Sequence, residues 1–421
     1  MIFLMDYLHN SSIPATKSEL NVFTVPPTQT AIDTYYDVEY RPSTTLESSK
    51  VFDINIPASE DMTDLSHTFL SVQASIRDKD GKELAAVDVV SLEPGFANCL
   101  FEQVDLFLNG VNIAQATNLY HHQAYIEDLM YKPPHPIDIE AGWDTEEELK
   151  TRAKGKFDLY FRLHNRLCNQ DKLLIGNVPI LLRLTRNSDS FGLTVPAGTT
   201  TTKYSLKLHD LCVHVKRVKV YPDVSLGISS ALEKVSCRYF VTRNEMKGFV
   251  LTTGSSSYNF EEVFSGILPK RMIVLFISNE SLNGDIKTGP FKYENFKLKQ
   301  ISANINGFPV PTIAYTPDFD KKLCMREFVS LFRFTNQDEG VPQTALTYKK
   351  FISDKTMFAF DLSSDGSLGG ESGTLSLIKR GNIKLEMKFN AALDKAVHML
   401  VLGQFDSLIE IDSARNVKLD Y

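Results

Sequence analysis

Gln103-Val-Asp-Leu-Phe-Leu-Asn-Gly110 returns, 300 − 103 = 197 residues later, as Gln300-Ile-Ser-Ala-Asn-Ile-Asn-Gly307. Each copy reads as a strand closed by an Asn-Gly turn, then short apolar pieces (Val111 and Ile113; Phe308 and Val310), then a helix candidate. Two further landmarks keep the order. Phe157-Asp-Leu-Tyr-Phe161 matches Phe358-Ala-Phe-Asp-Leu362 at an offset of 201, and Gly176-Asn-Val178 matches Gly381-Asn-Ile383 at 205. One Asn-Gly pair would mean little. Three landmarks in constant order predict two copies of one domain of roughly 200 residues, each closing its own core and joined into a larger rigid body.

Within each half, apolar residues alternate with polar ones. Leu70, Val72, Ala74 and Ile76 oppose Ser71, Gln73 and Ser75; Phe157, Leu159, Phe161 and Leu163 oppose Asp158, Tyr160, Arg162 and His164. Ile383, Leu385, Met387 and Phe389 interleave with Lys384, Glu386 and Lys388. A period of two predicts strands with one face on a core and the other toward water or a neighbour. Around Lys216-Arg217 the series Val213, Val215, Val218, Val220 slips by one, as a β-bulge requires. Asp80-Gly81, Asn109-Gly110, Gly176-Asn177, Asn283-Gly284, Asn306-Gly307 and Gly381-Asn382 supply turns between the runs. Many strands, short turns and few helices predict an all-β chain of sandwiches or barrels. Helices are expected at 118–131, from the Thr145–Glu148 capping box toward Lys154, and at 322–334; the Gly- and Ser-rich stretch 366–373 reads as a loop.

Composition narrows the functional classes. A charged fraction of 23% and a hydrophobic fraction of 43% describe a folded globular chain. The longest apolar runs, such as Met272-Ile-Val-Leu-Phe-Ile277, fall far short of the roughly 20 residues a spanning helix needs. Met1-Ile-Phe-Leu-Met5 meets Asp6 without the basic flank or cleavage site of a signal peptide, and reads as a short apolar arm that docks elsewhere. Cys99, Cys168, Cys212, Cys237 and Cys324 are scattered, with no C-x-x-C pair, which points to reduced thiols in an intracellular compartment. The glycosylation patterns at Asn10 and Asn279 then read as chance. A net charge of −7 argues against coating nucleic acid, which takes clustered Lys and Arg on phosphates. Partners are expected to be protein surfaces, with no direct sequence-specific nucleic-acid binding; membrane contact is left open.

The nearest approach to a chemical site is His121-His122 with Glu127 and Asp128. On a helix His122 and Glu127 are five apart and share no face, so a structural role is expected. His209 and His214, five apart on a strand, are expected to point to opposite faces. No G-x-S-x-G, Walker A or H-E-x-x-H pattern occurs. The sequence therefore nominates no catalytic, cofactor-binding or metal-ligating residue, and the chain reads as a non-enzyme. Trp143, the only tryptophan, reads equally as a subunit-contact anchor or as a hydrophobic staple beside the capping box.

Three segments carry a family resemblance. They are Leu100–Gly110 with the helix bearing Tyr120, Tyr125 and Leu129; Phe157–Leu163 with 173–184; and Leu408-Ile-Glu-Ile-Asp412 with Arg415-Asn-Val417. On them the chain resembles the double jelly-roll major capsid proteins of large DNA viruses and of Polinton (Maverick) elements and adintoviruses. The C-terminal segment looks most like the Polinton and adintovirus branch. The match spreads at low identity over nearly the whole chain. It implies an all-β chain of two tandem eight-stranded jelly-roll β-sandwiches with a few short helices in loops, at 46–225 and 226–421, behind an N-terminal arm of 1–45. It further implies homotrimers of pseudo-sixfold outline that tile an icosahedral virion capsid assembled inside a host cell, with a minor vertex capsid protein as partner. Long outer-tower insertions are not evident, so a flat outer surface is expected. The alternative is a tandem jelly-roll carbohydrate-binding protein or hydrolase, which needs a concave aromatic and carboxylate-lined site. A lone tryptophan and scattered acids argue against it.

Overall fold

The structure is a computed structural model. It describes residues 11–12, 18–85, 88–114, 117–131, 142–165, 167–168, 170–196, 198–199, 203–335, 344, 346–364 and 377–420. The first half supplies β1 (Ile32–Tyr40), β2 (Val51–Ile56), β3 (Met62–Arg77), β4 (Ser91–Leu92), β5 (Phe101–Leu108), β6 (Val111–Asn112), β7 (Lys156–Phe161), β8 (Ile180–Arg186), β9 (Leu193–Thr194) and β10 (Ser205–Val220). The second supplies β11 (Cys237–Leu251), β12 (Ser257–Ile267), β13 (Arg271–Ser278), β14 (Leu298–Ile305), β15 (Phe308–Tyr315), β16 (Met357–Asp361), β17 (Arg380–Phe389), β18 (Val397–Ile411) and β19 (Val417–Asp420). Between them lie α1 (Phe96–Cys99), α2 (Tyr120–Tyr131), α3 (Glu146–Ala153), α4 (Pro222–Leu232), α5 (Asn279–Leu282), α6 (Met325–Phe334) and α7 (Tyr348–Ser353).

The strands form antiparallel sheets ordered β1-β10-β3-β7 and β2-β8-β5-β6, then β11-β18-β13-β16 and β12-β17-β14-β15, with β19 added to β18 and β4 paired with β9. Leaving β4, β9 and β19 aside, each half orders its strands identically: first-eighth-third-sixth in one sheet, second-seventh-fourth-fifth in the other. That order is a jelly roll. The two copies of the repeat fall on the same places. Asn109-Gly110 closes the β5–β6 hairpin and Asn306-Gly307 the β14–β15 hairpin, all four residues at positive φ (45°, 81°, 50°, 94°), as a two-residue turn of this hand requires. Phe157 lies on β7 and Phe358 on β16, each the sixth strand of its roll.

Alternation becomes burial where a strand has one inward face. Ile383, Leu385, Met387 and Phe389 are buried while Glu386 and Lys388 are exposed. One continuous buried cluster runs through both rolls, from Phe52, Val72 and Leu184 to Phe276, Leu385 and Val401. The Thr145 hydroxyl caps α3 by accepting from the Glu148 N–H at 3.4 Å.

Several expectations are corrected. The assigned arm of 1–45 contains β1, which pairs with β10 from Ile32↔Val220 to Tyr40↔Val213. This strand has no buried face; backbone pairing and contacts such as Lys219–Asp33 and Lys216 over the Tyr35 ring hold it, so no burial pattern marks it in sequence. The bulge near Lys216 is present, but the extra residues loop from β3, where His214↔Phe69 is followed by Lys216↔Asp64. A second slip sits between Leu208 and Asp210. It turns His209 onto the face of His214: His209 reaches Ser75 Oγ at 2.8 Å and His214 packs on Tyr160, with Ser75 opposite Lys156 and Tyr160 opposite Ser71 on one uninterrupted ladder. The helix expected from 322 begins at Met325, because Asp318 accepts from the Lys321 N–H and Lys322 sits at φ 58° in a turn. The 366–373 loop lies outside the described residues. Helices α1, α4, α5 and α7 were not expected.

Candidate functional site

Helix α2 carries the residues nominated above. Residues 120–130 are all buried except the half-buried Gln123, because the helix is covered on one side by β5 of the first roll and on another by β11 of the second. His121 packs edge-on to Phe191, ring centroids 4.6 Å apart, and His122 hydrogen-bonds Tyr293 Oη at 3.1 Å while abutting Phe291. Burial pushes His121 down to about 3, and burial with its neighbour pushes His122 down as well, so both stay neutral. Neither meets Glu127 or Asp128.

Those two carboxylates converge instead on His164. Its Nδ1 lies 2.9 Å from Glu127 Oε2 and its Nε2 3.1 Å from Asp128 Oδ1, all three side chains buried. Burial alone would push this imidazole down; the Asp128 charge and the bonds to both carboxylates overcome it and hold the ring up at about 9. Neutral donors complete the group. Asn98 donates to Asp128 Oδ2 at 2.8 Å, Gln123 and Asn244 donate to Glu127 Oε1 at 2.9 and 2.5 Å, and the His164 N–H donates to Tyr120 Oη at 3.0 Å. Asn244 stands on β11, so this charge cluster ties one roll to the other. Alternation had placed His164 outward with Asp158 and Tyr160. The strand ends at Phe161, and the chain beyond it turns His164 inward. Among the described residues, no group of three or more His, Cys, Asp and Glu is placed to hold a metal.

The seam continues on both sides of this cluster. Tyr125 stacks on Phe291 (centroids 3.9 Å apart) and on Trp143 (5.1 Å), and the Lys355 ammonium lies 5.1 Å from its ring centroid. Lys355 donates to the Phe291 carbonyl at 2.6 Å; burial pushes its pKa down and that of nearby Glu93 up. Trp143 also covers Gly95, where a Cβ would stand 2.8 Å from the indole, so the lone tryptophan is a staple of the first roll's seam face. Tyr239 of β11 donates to the Leu173 carbonyl and accepts from the Ile175 N–H, both at 3.0 Å. Arg415 donates to the Gly176 carbonyl at 2.9 Å while its own carbonyl accepts from Asn109 at 3.0 Å. This arrangement is a lock. Beside the imidazolium, among its carboxylates and amides, lies a cavity of only about 30 Å³ lined by Tyr120, Glu127, His164 and Asn244.

Space exists elsewhere. An open polar cleft of about 740 Å³ beside the seam carries paired charges, Lys50 to Glu102, Arg186 to Asp189, and Glu47 to Lys207 outside the lining, each at 2.8 Å. A groove of about 680 Å³ runs between β15 and α6, lined by Val310, Pro311, Tyr315, Met325 and Val329. Large apolar side chains stand exposed around that groove, and others stand exposed along β1.

No protein-family model matches the chain. It is 19% identical over 379 residues to the uncharacterized protein F54H12.2 of Caenorhabditis elegans, covering 85% of this chain and 90% of that one. Among solved structures, it is similar to a chain of the Sputnik virophage structure, with a TM-score of 0.65 and 10% identity over 99% of this chain and 94% of the other. It is similar to VP54 of PBCV-1 at a TM-score of 0.64 and 10% identity, covering 95% and 99%. The mavirus major capsid protein gives 0.56 and 10%, covering 99% and 97%. The chain therefore has the double jelly-roll fold of these proteins, over 94% or more of each partner.

Proposed function

We propose that this chain is a major capsid subunit: a structural protein that assembles as a homotrimer of pseudo-sixfold outline and tiles an icosahedral shell. The observation that carries the reading is the pair of topologically identical rolls, locked at a fixed angle by a buried seam. Three such chains offer six similar corners to a hexagonal lattice, and closed symmetry lets modest contacts sum. End-to-end similarity to capsid proteins of large DNA viruses and virophages supports the same role. In this reading the first roll runs from β1 to β10 and the second from β11 to β19, α4 is the link between them, and a minor vertex capsid protein closes the shell at its corners. The work is done by surfaces rather than by catalysis. A relative in a nematode favours a Polinton-like element carried in an animal genome as the source.

Mass photometry of the purified protein, followed by negative-stain imaging, tests this. A stable trimer with a hexagonal outline is expected. A strict monomer at high concentration refutes the reading.

A further inference from the structure

The repeat makes the seam a template. Within one chain, the first roll presents its helix after the fifth strand (α2), its fourth-to-fifth-strand hairpin (Asn109) and the segment before its seventh strand (Lys172 to Gly176). The second roll receives them on its first strand, β11, through Tyr239, Asn244 and Gly248, on Phe291, Tyr293 and Lys355 against α2, and on the turn at Arg415. The contact is heterologous, with two different faces meeting. Repeated between similar bodies, such a contact builds a ring or a filament, depending on whether the rotation closes.

The second roll owns the same presenting elements, and in the single chain they are bare. Helix α6 follows β15 as α2 follows β6, yet Met325 and Val329 on it are exposed. At the counterpart hairpin Phe308 is 75% exposed, and Ile313 further along β15 is 73% exposed. Leu377 and Ile378 stand four and three residues before Gly381, where Lys172 and Leu173 stand before Gly176, and both are exposed. The first roll's counterpart of the receiving strand β11 is β1, and it too is bare: Ile32, Tyr35 and Tyr36 are exposed, Tyr35 at 65%. Tyr221, just past β10, stands exposed as well. An apolar face on the second roll and, on the first, a strand edge bearing Ile32, Tyr35 and Tyr36 among Asp33, Asp37 and Glu39 thus lie open at the positions where the repeat predicts a partner.

We propose that the β15–α6 face of one copy docks on the β1 edge of the next copy's first roll, repeating between chains the contact that α2 makes with β11 within one. Six rolls then alternate around a ring of three chains. The inference rests on the trimeric reading above and assigns the contact that closes it.

The test uses full-length protein and two double variants at exposed positions. Met325→Glu with Val329→Glu damages the helix face, Ile32→Glu with Tyr35→Glu damages the strand edge, and Leu226→Glu on exposed α4 serves as control. Thermal melting by circular dichroism checks that each is folded. Each double variant is expected to raise the concentration for half-trimer by roughly 30-fold or more, as removal of interface anchors does. The control is expected to leave it unchanged. A one-to-one mixture of the two double variants retains one undamaged pair of faces, so crosslinking is expected to trap a heterodimer and no trimer. Folded variants that remain trimeric, a control that also dissociates, or a mixture that yields no heterodimer would overturn the assignment while the wild-type trimer leaves the capsid reading intact. A monomeric wild type overturns both.

Discussion

Replacing His164 by glutamine removes the imidazolium held between Glu127 and Asp128 and leaves two buried carboxylates facing neutral donors only. The group's pKa is about 9 in the folded chain against 6.5 for a free histidine. The folded state therefore keeps a proton that the unfolded state releases. The stability this contributes is fully present below 6.5 and is lost as the pH rises through 9. Over that window of 2.5 units, at about 1.4 kcal/mol per unit, the loss amounts to about 3.5 kcal/mol. His121 acts oppositely: held at about 3, it stays neutral where the unfolded chain takes up a proton, so it lowers stability as the pH falls below 6.5. At pH 6.5 the glutamine variant should be less stable by roughly 3–5 kcal/mol, the cost of breaking a buried ion pair from one side. By pH 9.5 the gap should shrink to about 1 kcal/mol, because the wild-type ring has then lost its own charge. Urea unfolding followed by far-UV circular dichroism from pH 6 to 9.5, at one fixed protein concentration, measures the gap directly. Buried thiols such as Cys168, pushed up to about 12, weaken both proteins at high pH and cancel in the difference. Parallel profiles for the two proteins between pH 6.5 and 9 would refute the charge assignment.

Arg217, buried at the bulge, donates to Thr63 Oγ1 at 2.5 Å and to the Pro57 carbonyl at 2.9 Å, so Arg217→Met should cost about 2–3 kcal/mol through the unpaired acceptors, seen as a lowered melting temperature. An unchanged melt would mean that water replaces both bonds. Trp143→Ala should cost about 3 kcal/mol by opening a cavity against Tyr125 and Gly95. Under conditions where the variant is folded, its trimer midpoint should match the wild type; a selective loss of trimer would return the tryptophan to an interface role.

What the sequence disclosed was whatever a few neighbouring residues decide. Asn109-Gly110 and Asn306-Gly307 are legible because a two-residue hairpin turn demands positive φ from both residues. Strand β17 is legible because one of its faces meets a core and the other does not. Strand β1 is silent because it buries neither face, and His164 was misdirected because alternation carries no mark of where a strand stops. Helix α4 did leave a signal, Pro222 and Asp223 in its first turn and a narrow stripe of Val224, Ile228 and Leu232 at four-residue spacing, but the rest of its surface is exposed. The buried charge cluster lay out of reach for a different reason. Its members come from α1, α2, the chain after β7, and β11, and only the closed seam brings Asn244 to Glu127. Local pattern placed Glu127 and Asp128 beside His121 and His122, while the fold pairs them with a residue some 40 positions on.

The burial of α2 on all sides sets an order in time. A ribosome delivers this helix long before the strands that cover it: from Tyr131 to Lys355 is 355 − 131 = 224 residues. At roughly 5–20 residues per second, that leaves the faces of His122 and Tyr125 uncovered for about 10–45 s in every round of synthesis. The first roll is therefore born with a sticky flank that only its own second half can close, and crowded polysomes translating it place identical flanks side by side. Synthesis rate and chaperone supply, as much as the stability of the finished chain, then govern how many copies reach the assembled state.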